Sequence, residues 1–300
     1  MGGLLSLKMF PLGSMLRRAK GSFLQRLWNV CNRRFGKDVN FRAFSMLVDS
    51  HAHLMFPQFR KDLADLLARA RAAGVRQIVN VGTNLETSRA AIALAEARDD
   101  VFASAGFHPS DSAKADEAAL KKLPALLKHH RIVAVGETGL DFYRDYAQRE
   151  VQERAFRAHI RLAREMGLPL IIHSRGAETR VLDVLEEEGG SDVGGVMHCF
   201  GGDIEGAKRA VDLNFYLGFG GIVTFKNSGA LEVALDVPAE RLLLETDCPF
   251  LAPAPKRGRR NEPAYVRYVA ECLADAGWGD TGDVCRQTTQ NAQTLFGLIS

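Results

Sequence analysis

Three absences narrow this 300-residue chain before any motif is read. It has no apolar run long enough to span a membrane as a helix, which removes the helical membrane classes. Its five cysteines, Cys31, Cys199, Cys248, Cys272 and Cys285, are odd in number, scattered and without C-x-x-C spacing. That argues against a disulfide framework and for reduced thiols in a cytoplasmic setting. There is no G-x-G-x-x-G turn after the first expected strand, which argues against an open dinucleotide-binding sheet. Nor is there a short-period repeat.

Charge is present in uneven measure. The net charge is +3, yet residues 1–45 carry nine Lys/Arg against the single acid Asp38. Residues 46–300 therefore hold 30 basic and 35 acidic residues, a net of −5. A mildly acidic body can meet a nucleic acid only through a local basic patch. The basic segment contains Phe23-Leu24-Gln25-Arg26-Leu27-Trp28-Asn29-Val30, which suits a short amphipathic helix, and its composition fits a targeting arm. Met1-Gly2-Gly3-Leu4-Leu5-Ser6 fits the loose myristoylation pattern. The favoured expectation is a dispensable, disordered tail or an upstream extension of the reading frame, with Met46 as the start. The fold is sought in residues 46–300.

Those residues alternate between short apolar runs and helical periodicity. Strands are expected at residues 47–48, 77–81, 101–105, 132–135, 168–172, 195–197, 215–219 and 241–244. Helices are expected between them at about 59–74, 86–98, 113–130, 149–167, 178–188, 204–213 and 229–235, with 263–276 and 283–296 closing the chain. Pro124 is expected to interrupt or bound the third of these. Eight strand–helix units within about 250 residues match a single-domain (β/α)8 barrel.

The residues that carry chemistry stand at the ends of those runs. His51 and His53 lie two apart on an extended segment, so both point to one side. His108 follows the third run, Glu137 the fourth, His173 the fifth, His198 the sixth and Asp247 the eighth. In a barrel those ends share one face, where the active site belongs. Four histidines and two carboxylates are more than one zinc ion takes. They suit two divalent ions joined by a bridging carboxylate, with Glu137 as the bridge. His51, His53 and Asp247 complete one ion, and His173 and His198 the other. Such a pair, about 3.5–4 Å apart, generates hydroxide at neutral pH and clamps both oxygens of a displacement. Phosphodiester hydrolysis uses that pair best. Histidine ligands suit zinc, manganese or nickel, and carboxylates with phosphate admit magnesium.

The motifs as a set resemble the TatD family of metal-dependent deoxyribonucleases, within the wider amidohydrolase-like hydrolases. They are Val48-Asp49-Ser50-His51-Ala52-His53-Leu54, Gly106-Phe107-His108-Pro109, Gly136-Glu137-Thr138-Gly139-Leu140-Asp141-Phe142-Tyr143, Ile172-His173-Ser174-Arg175, His198-Cys199-Phe200, Glu245-Thr246-Asp247-Cys248-Pro249, Arg260-Asn261-Glu262-Pro263 and Asn291-Ala292-Gln293-Thr294-Leu295-Phe296. The resemblance spans residues 47–297. It implies a barrel hydrolase that cuts DNA, exonucleolytically from 3′ to 5′ on single strands. It implies metal ligands at His51, His53, Glu137, His173, His198 and Asp247, and a substrate-phosphate or supporting role for His108. Two positions depart from the pattern: Ser174 stands where threonine or cysteine is frequent, and Gly176 where aspartate is frequent, with Glu178 as a nearby carboxylate.

Further residues carry open readings. Arg175 is expected to bind a phosphate in preference to forming a structural salt bridge. Glu245 either orients a metal-bound histidine or pairs with a base, and Asp141 is placed similarly, on the loop after the fourth strand. Lys256, Arg257, Arg259 and Arg260 form a basic loop that either meets nucleic acid or is simply solvated. Phe107, Phe142 and Tyr143 either stack bases or pack the rim. His129, His130 and His159 read as surface or packing residues, and Cys199 and Cys248 are expected to point away from the ions. The full reading is a monomeric cytoplasmic phosphodiesterase with two divalent ions (Mg2+, Mn2+ or Zn2+) and a single-stranded DNA substrate. In it Glu137, Asp247, His108 and Arg175 form the catalytic group. The alternatives are a bimetal amide or ester hydrolase, and a non-catalytic scaffold, which would have no need to retain metal.

Overall fold

The computed structural model describes residues 46–144 and 146–298; the expectations about residues 1–45 lie outside them. Eight parallel strands pair in sequence order: β1 (Leu47–Ala52), β2 (Val75–Val81), β3 (Val101–Ala105), β4 (Ile132–Asp141), β5 (Leu170–Arg175), β6 (Gly195–Met197), β7 (Phe215–Phe219) and β8 (Leu242–Leu244). Most of their residues are buried, as expected of parallel strands covered on both faces. β8 returns to β1 through Asp247 N–H to His51 O and His53 N–H to Cys248 O, both 2.9 Å. The sheet is thereby a nearly closed (β/α)8 barrel.

Helices cover the outside: α1 (Leu63–Ala72), α2 (Leu85–Glu96), α3 (Glu117–Leu120), α4 (Leu123–Leu127), α5 (Arg149–Met166), α6 (Glu178–Glu187), α7 (Ile204–Asp212), α8 (Ala230–Asp236), α9 (Val266–Asp275) and α10 (Thr281–Phe296). α5 shows why such segments are helical. Gln152, Ala155, Phe156, His159, Ile160 and Ala163 recur at helical spacing and are its buried stripe. Gly167, at φ 64°, ends it in the left-handed conformation that glycine accepts. The barrel interior holds a cluster of Val48, Val79, Val133, Ile171, Val196 and Leu243, drawn from six strands and closed by Phe296 of α10. α10 is tied to the strand starts, since Thr289 Oγ1 donates to Met46 O and Asn291 Nδ2 to Leu242 O. The opposite, C-terminal end is left for chemistry.

Two expectations change. The expected helix at 113–130 is a 3-10 turn at Pro109–Lys114 followed by α3 and α4. Pro124 stands in the first turn of α4, where its missing N–H costs no helical bond, so of the interruption or boundary expected there it is the boundary. The fourth strand is longer than expected and runs through to Asp141, so Glu137 and Asp141 both lie within β4. Asp141 is therefore a strand residue and not a loop residue.

The outer face of α5 and α6 carries an ion-pair ribbon. Arg157 bridges Glu153, Glu187 and Glu188, and Arg180 bridges Glu153 and Glu187. Hydrogen bonds from Arg180 and Arg157 hold the Glu153 carboxyl down at about 2, and Arg161 and Arg157 hold Glu188 there too. A carboxylate whose pKa falls on folding stabilises above its unfolded value and loses that contribution as pH drops through the folded value. Thermal melting is therefore expected to fall between about pH 4.5 and pH 2. Arg157→Ala should flatten that segment of the melting-temperature profile, and high salt should do the same, because the pairs are solvent-facing.

Candidate metal centre

β1 supplies the first two imidazoles by means of an irregularity. Val48 belongs to the interior cluster, and strict alternation would then turn His51 outward. The β1–β2 register shifts between Asp49 and Ala52, and that change of phase brings His51 and His53 to the interior together. His53 Nδ1 lies 2.8 Å from Val81 O. A carbonyl only accepts, so Nδ1 carries the proton and the Nε2 lone pair faces the centre. The two Nε2 atoms are 3.3 Å apart.

Glu137 lies between two groups of donors. Its Oε2 is 3.4 Å from His51 Nε2 and 3.6 Å from His53 Nε2. Its Oε1 is 3.1 Å from His173 Nδ1 and 3.1 Å from His198 Nε2. Asp247, from the turn after β8, puts Oδ1 3.4 Å from His53 Nε2 and 3.8 Å from His51 Nε2. These separations fit a divalent ion: donors about 2.0–2.1 Å from a tetrahedral centre stand about 3.3–3.4 Å from one another. Three sets of three donors, His51–His53–Asp247, His108–Glu137–His173 and His51–His198–Glu245, each converge within 4.8 Å. The six residues expected as ligands are thus brought to one place, with Glu137 shared.

Packing makes room for that carboxylate. Gly139 holds φ 132°, and a Cβ there would stand 2.0 Å from His173 O. β4 and β5 approach closely enough to seat both Glu137 and His173 only because glycine stands between them. Burial opposes the charge on Glu137, but the imidazoles of His108, His198 and His51 prevail and hold its carboxyl well below the usual range.

His108 differs from the others. Ser110 N–H donates to its Nδ1 at 3.1 Å, so in the neutral ring Nε2 carries the proton and points toward Glu137 Oε1 at 3.6 Å. Burial lowers its pKa to about 4, which keeps the ring neutral. In that tautomer it presents a hydrogen-bond donor to the centre.

The outer residues fall into place around these. Glu245 is buried; its Oε1 is 3.3 Å from His198 Nδ1 and accepts the Cys199 N–H at 2.6 Å. Gly218 gives it space, since a Cβ there would lie 2.4 Å from Glu245 Oε2. Glu245 has a histidine partner, and among the described residues no Lys or Arg pairs with it. Asp141 Oδ2 is 3.3 Å from His173 Nε2, and its Oδ1 accepts the backbone N–H of Tyr143 and Arg144. Cys199 and Cys248 belong to none of the three sets of clustered donors. Cys199 nonetheless lines the cleft, because its φ of 47° breaks the alternation that would turn it away.

The basic residues separate. Arg175 lines the cleft with its guanidinium 4.2 Å over the Tyr143 ring. Arg260 is committed elsewhere: it bonds Asp62 at 2.6 and 2.8 Å and Gln58 O at 2.6 Å. Arg257 lies over Phe225, and Lys256 over Tyr265 and Tyr268, so the loop after β8 does not line the cleft with its charges. Gly176, the departure noted above, has φ 61° and donates its N–H to Glu178 Oε1 at 3.2 Å. Glycine suits that conformation, and Glu178 supplies the local carboxylate.

His159, read from the sequence as a surface or packing residue, is a packing residue. It is fully buried on α5; its Nδ1 donates to Ala155 O, 2.7 Å away, and its Nε2 accepts Phe107 N–H at 3.0 Å. It fixes the turn that carries His108, and burial lowers its pKa to about 4. Its place on the apolar stripe of α5 was the available signal. Phe107 packs against it in the interior, and Phe142 lies under Arg149. Neither faces the cleft.

Above the donors opens a cleft of about 860 Å³, within the range of small-ligand sites. The model of TatD related DNases matches residues 48–297, which is the whole barrel. The chain belongs to the TatD family. Its TatD relatives include an uncharacterized metal-dependent hydrolase, YabD, of Bacillus subtilis, 45% identical over 84% of this chain and 99% of that protein. A Salmonella typhimurium protein named 3′-5′ ssDNA/RNA exonuclease TatD is 38% identical over 84% of this chain and all of its own length. Among solved structures, the TatD homologue YJJV of Escherichia coli K12 superposes with a TM-score of 0.81 at 32% identity, covering 84% of this chain and 98% of its own. Like its TatD relatives, the chain is a metal-dependent hydrolase. Among the described residues no helix is long and apolar enough to cross a membrane.

Proposed function

We propose that residues 46–300 form a two-metal deoxyribonuclease that removes nucleotides from single-stranded DNA in the 3′ to 5′ direction. The observation that carries the reading is Glu137, whose two carboxylate oxygens each face a separate pair of imidazoles. His51, His53 and Asp247 would hold one ion, His173 and His198 the other, with Glu137 serving both. When bound, divalent ions (Mg2+, Mn2+ or Zn2+) supply Lewis acidity toward a phosphodiester and acidify water. The exonuclease name of the Salmonella relative supports the substrate class. One chain carries the complete donor set, so a monomer suffices, and the free thiols of Cys199 and Cys248 fit the reducing cytoplasm.

The chain's own groups do the rest. His108 Nε2–H, fixed by the bond to its other nitrogen, donates to a phosphate oxygen. Arg175 pairs with a second phosphate oxygen by its fork of N–H groups. Asp247, open to the cleft, takes the proton of the attacking water as the water oxygen bonds to phosphorus and the P–O bond to the remaining strand breaks, and the departing 3′ oxygen is protonated in turn from the Asp247 carboxyl. Glu245 and the Val81 carbonyl hold the protons on the outer nitrogens of His198 and His53, which keeps the inner nitrogens free.

The test is cleavage of end-labelled single-stranded DNA by purified protein with each ion, beside a His51→Ala/Glu137→Ala control. Metal-dependent shortening absent from the control is expected. No cleavage with metal bound and the fold intact would favour the amide or ester hydrolase, and failure to retain metal would favour the scaffold. A separate prediction concerns Glu245→Gln. It should weaken divalent-ion binding by about 10–100-fold in calorimetric titration, with the melting temperature of the metal-free protein nearly unchanged.

A further inference from the structure

Folded chains rarely leave large apolar side chains in water without a use. Among the described residues five do so strongly: Met46, and then Tyr143, Tyr146, Phe250 and Leu251. The last four are 71, 56, 47 and 40% exposed and gather at the mouth of a single cleft. Tyr146, Phe250 and Leu251 line it directly, and Tyr143 lies against Arg175, which also lines it.

They form two walls. Phe250 and Leu251 follow β8, next to β1, whereas Tyr143 and Tyr146 follow β4. In an eight-stranded barrel of this order those positions face each other across the mouth. On the first wall an aromatic column rises from the metal centre: the Phe56 ring lies parallel to His53 at 4.8 Å, and Phe250 meets Phe56 edge-on at 6.2 Å. On the second wall each tyrosine carries a cation. Arg175 is 4.2 Å over Tyr143, and Arg144 is 5.7 Å over Tyr146 with a 2.7 Å bond to its hydroxyl.

We infer that these walls are two base-stacking platforms, one on either side of the scissile phosphate. The inference rests on the nuclease reading above and adds where the substrate is gripped. Aromatic faces stack unpaired bases regardless of sequence, and an arginine beside each tyrosine neutralises the adjoining phosphate. A phosphate held at the donor cluster places its two flanking nucleotides toward opposite walls. A duplex cannot present its bases this way, because they remain paired and stacked. The cleft therefore selects single strands by their bases, and recognition is shared between Phe250 on one wall and the Tyr143–Tyr146 pair on the other.

The test compares a single-stranded oligothymidylate with the same oligomer made abasic at the nucleotides flanking the cleaved phosphate. Wild type, Phe250→Ala and Tyr143→Ala/Tyr146→Ala are measured, with metal content and melting temperature as folding controls. Wild type is expected to prefer the intact strand by about tenfold or more per platform. Each variant should raise KM on the intact strand by about the same factor and lose its share of that preference. Equal losses on intact and abasic strands, or no change in KM, would overturn the platforms while leaving the nuclease standing. Wild-type hydrolysis of methyl 4-nitrophenyl phosphate without cleavage of any oligonucleotide would overturn the nuclease reading, and the platforms with it.

Discussion

Glu137→Gln is expected to lower kcat/KM on single-stranded DNA by about 10³-fold or more, a loss at the upper end for removal of one charge-stabilising group. Glutamine keeps the shape but offers only one oxygen and no charge. The His173 and His198 side of Glu137 would lose its carboxylate oxygen at 3.1 Å or the His51 and His53 side its own at 3.4–3.6 Å. Metal content by elemental analysis should therefore fall from two ions per chain to one or none. A second readout separates this from misfolding. A ligand at 100 times its dissociation constant stabilises by about 2.7 kcal/mol, so saturating metal should raise the melting temperature of the parent by several degrees. The variant should lose most of that shift while its metal-free form melts near the metal-free parent. Retention of two ions by Glu137→Gln would defeat the bridging role.

Asp49→Ala should carry the largest cost in stability. Asp49 is fully buried on β1, and it reaches across the seam of the barrel to the β8 side. Its Oδ1 accepts Thr246 N–H at 2.9 Å and its Oδ2 the Thr246 hydroxyl at 2.6 Å. Burial pushes its carboxyl up to about 8, with the Thr246 bonds pulling the other way. Truncation leaves two buried donors unpaired, at about 1–3 kcal/mol each, with a cavity besides. We expect about 3–4 kcal/mol in all, or a fall of roughly 10 °C in melting temperature for a domain of this size. Thr246 precedes Asp247, so metal affinity should fall in the same variant. Asp49→Asn keeps an acceptor for the Thr246 N–H and should recover more than half the loss. A melting temperature unchanged in Asp49→Ala would show that the backbone bonds between His51, His53 and the β8 turn hold the seam unaided.

The sequence by itself determined the frame and the chemistry. Alternating apolar runs and helical stripes announced eight βα units. The residue types at the run ends, His51, His53, His108, Glu137, His173, His198 and Asp247, announced a metal-dependent hydrolase. Both are legible because periodicity and residue type are local properties of the chain. What only the tertiary structure decided depends on contacts between residues far apart in sequence. The register shift in β1 turns His51 inward beneath Glu137. Gly218 yields its space to Glu245, which then meets His198. Asp62 claims Arg260, some 200 positions away, and removes it from the basic loop. Phe107 disappears against His159, while Phe250 and Tyr146 emerge at opposite sides of the cleft. Whether a charge, an imidazole or a ring is free to meet a ligand depends on which distant side chain reaches it first, and that competition is settled only when the barrel closes.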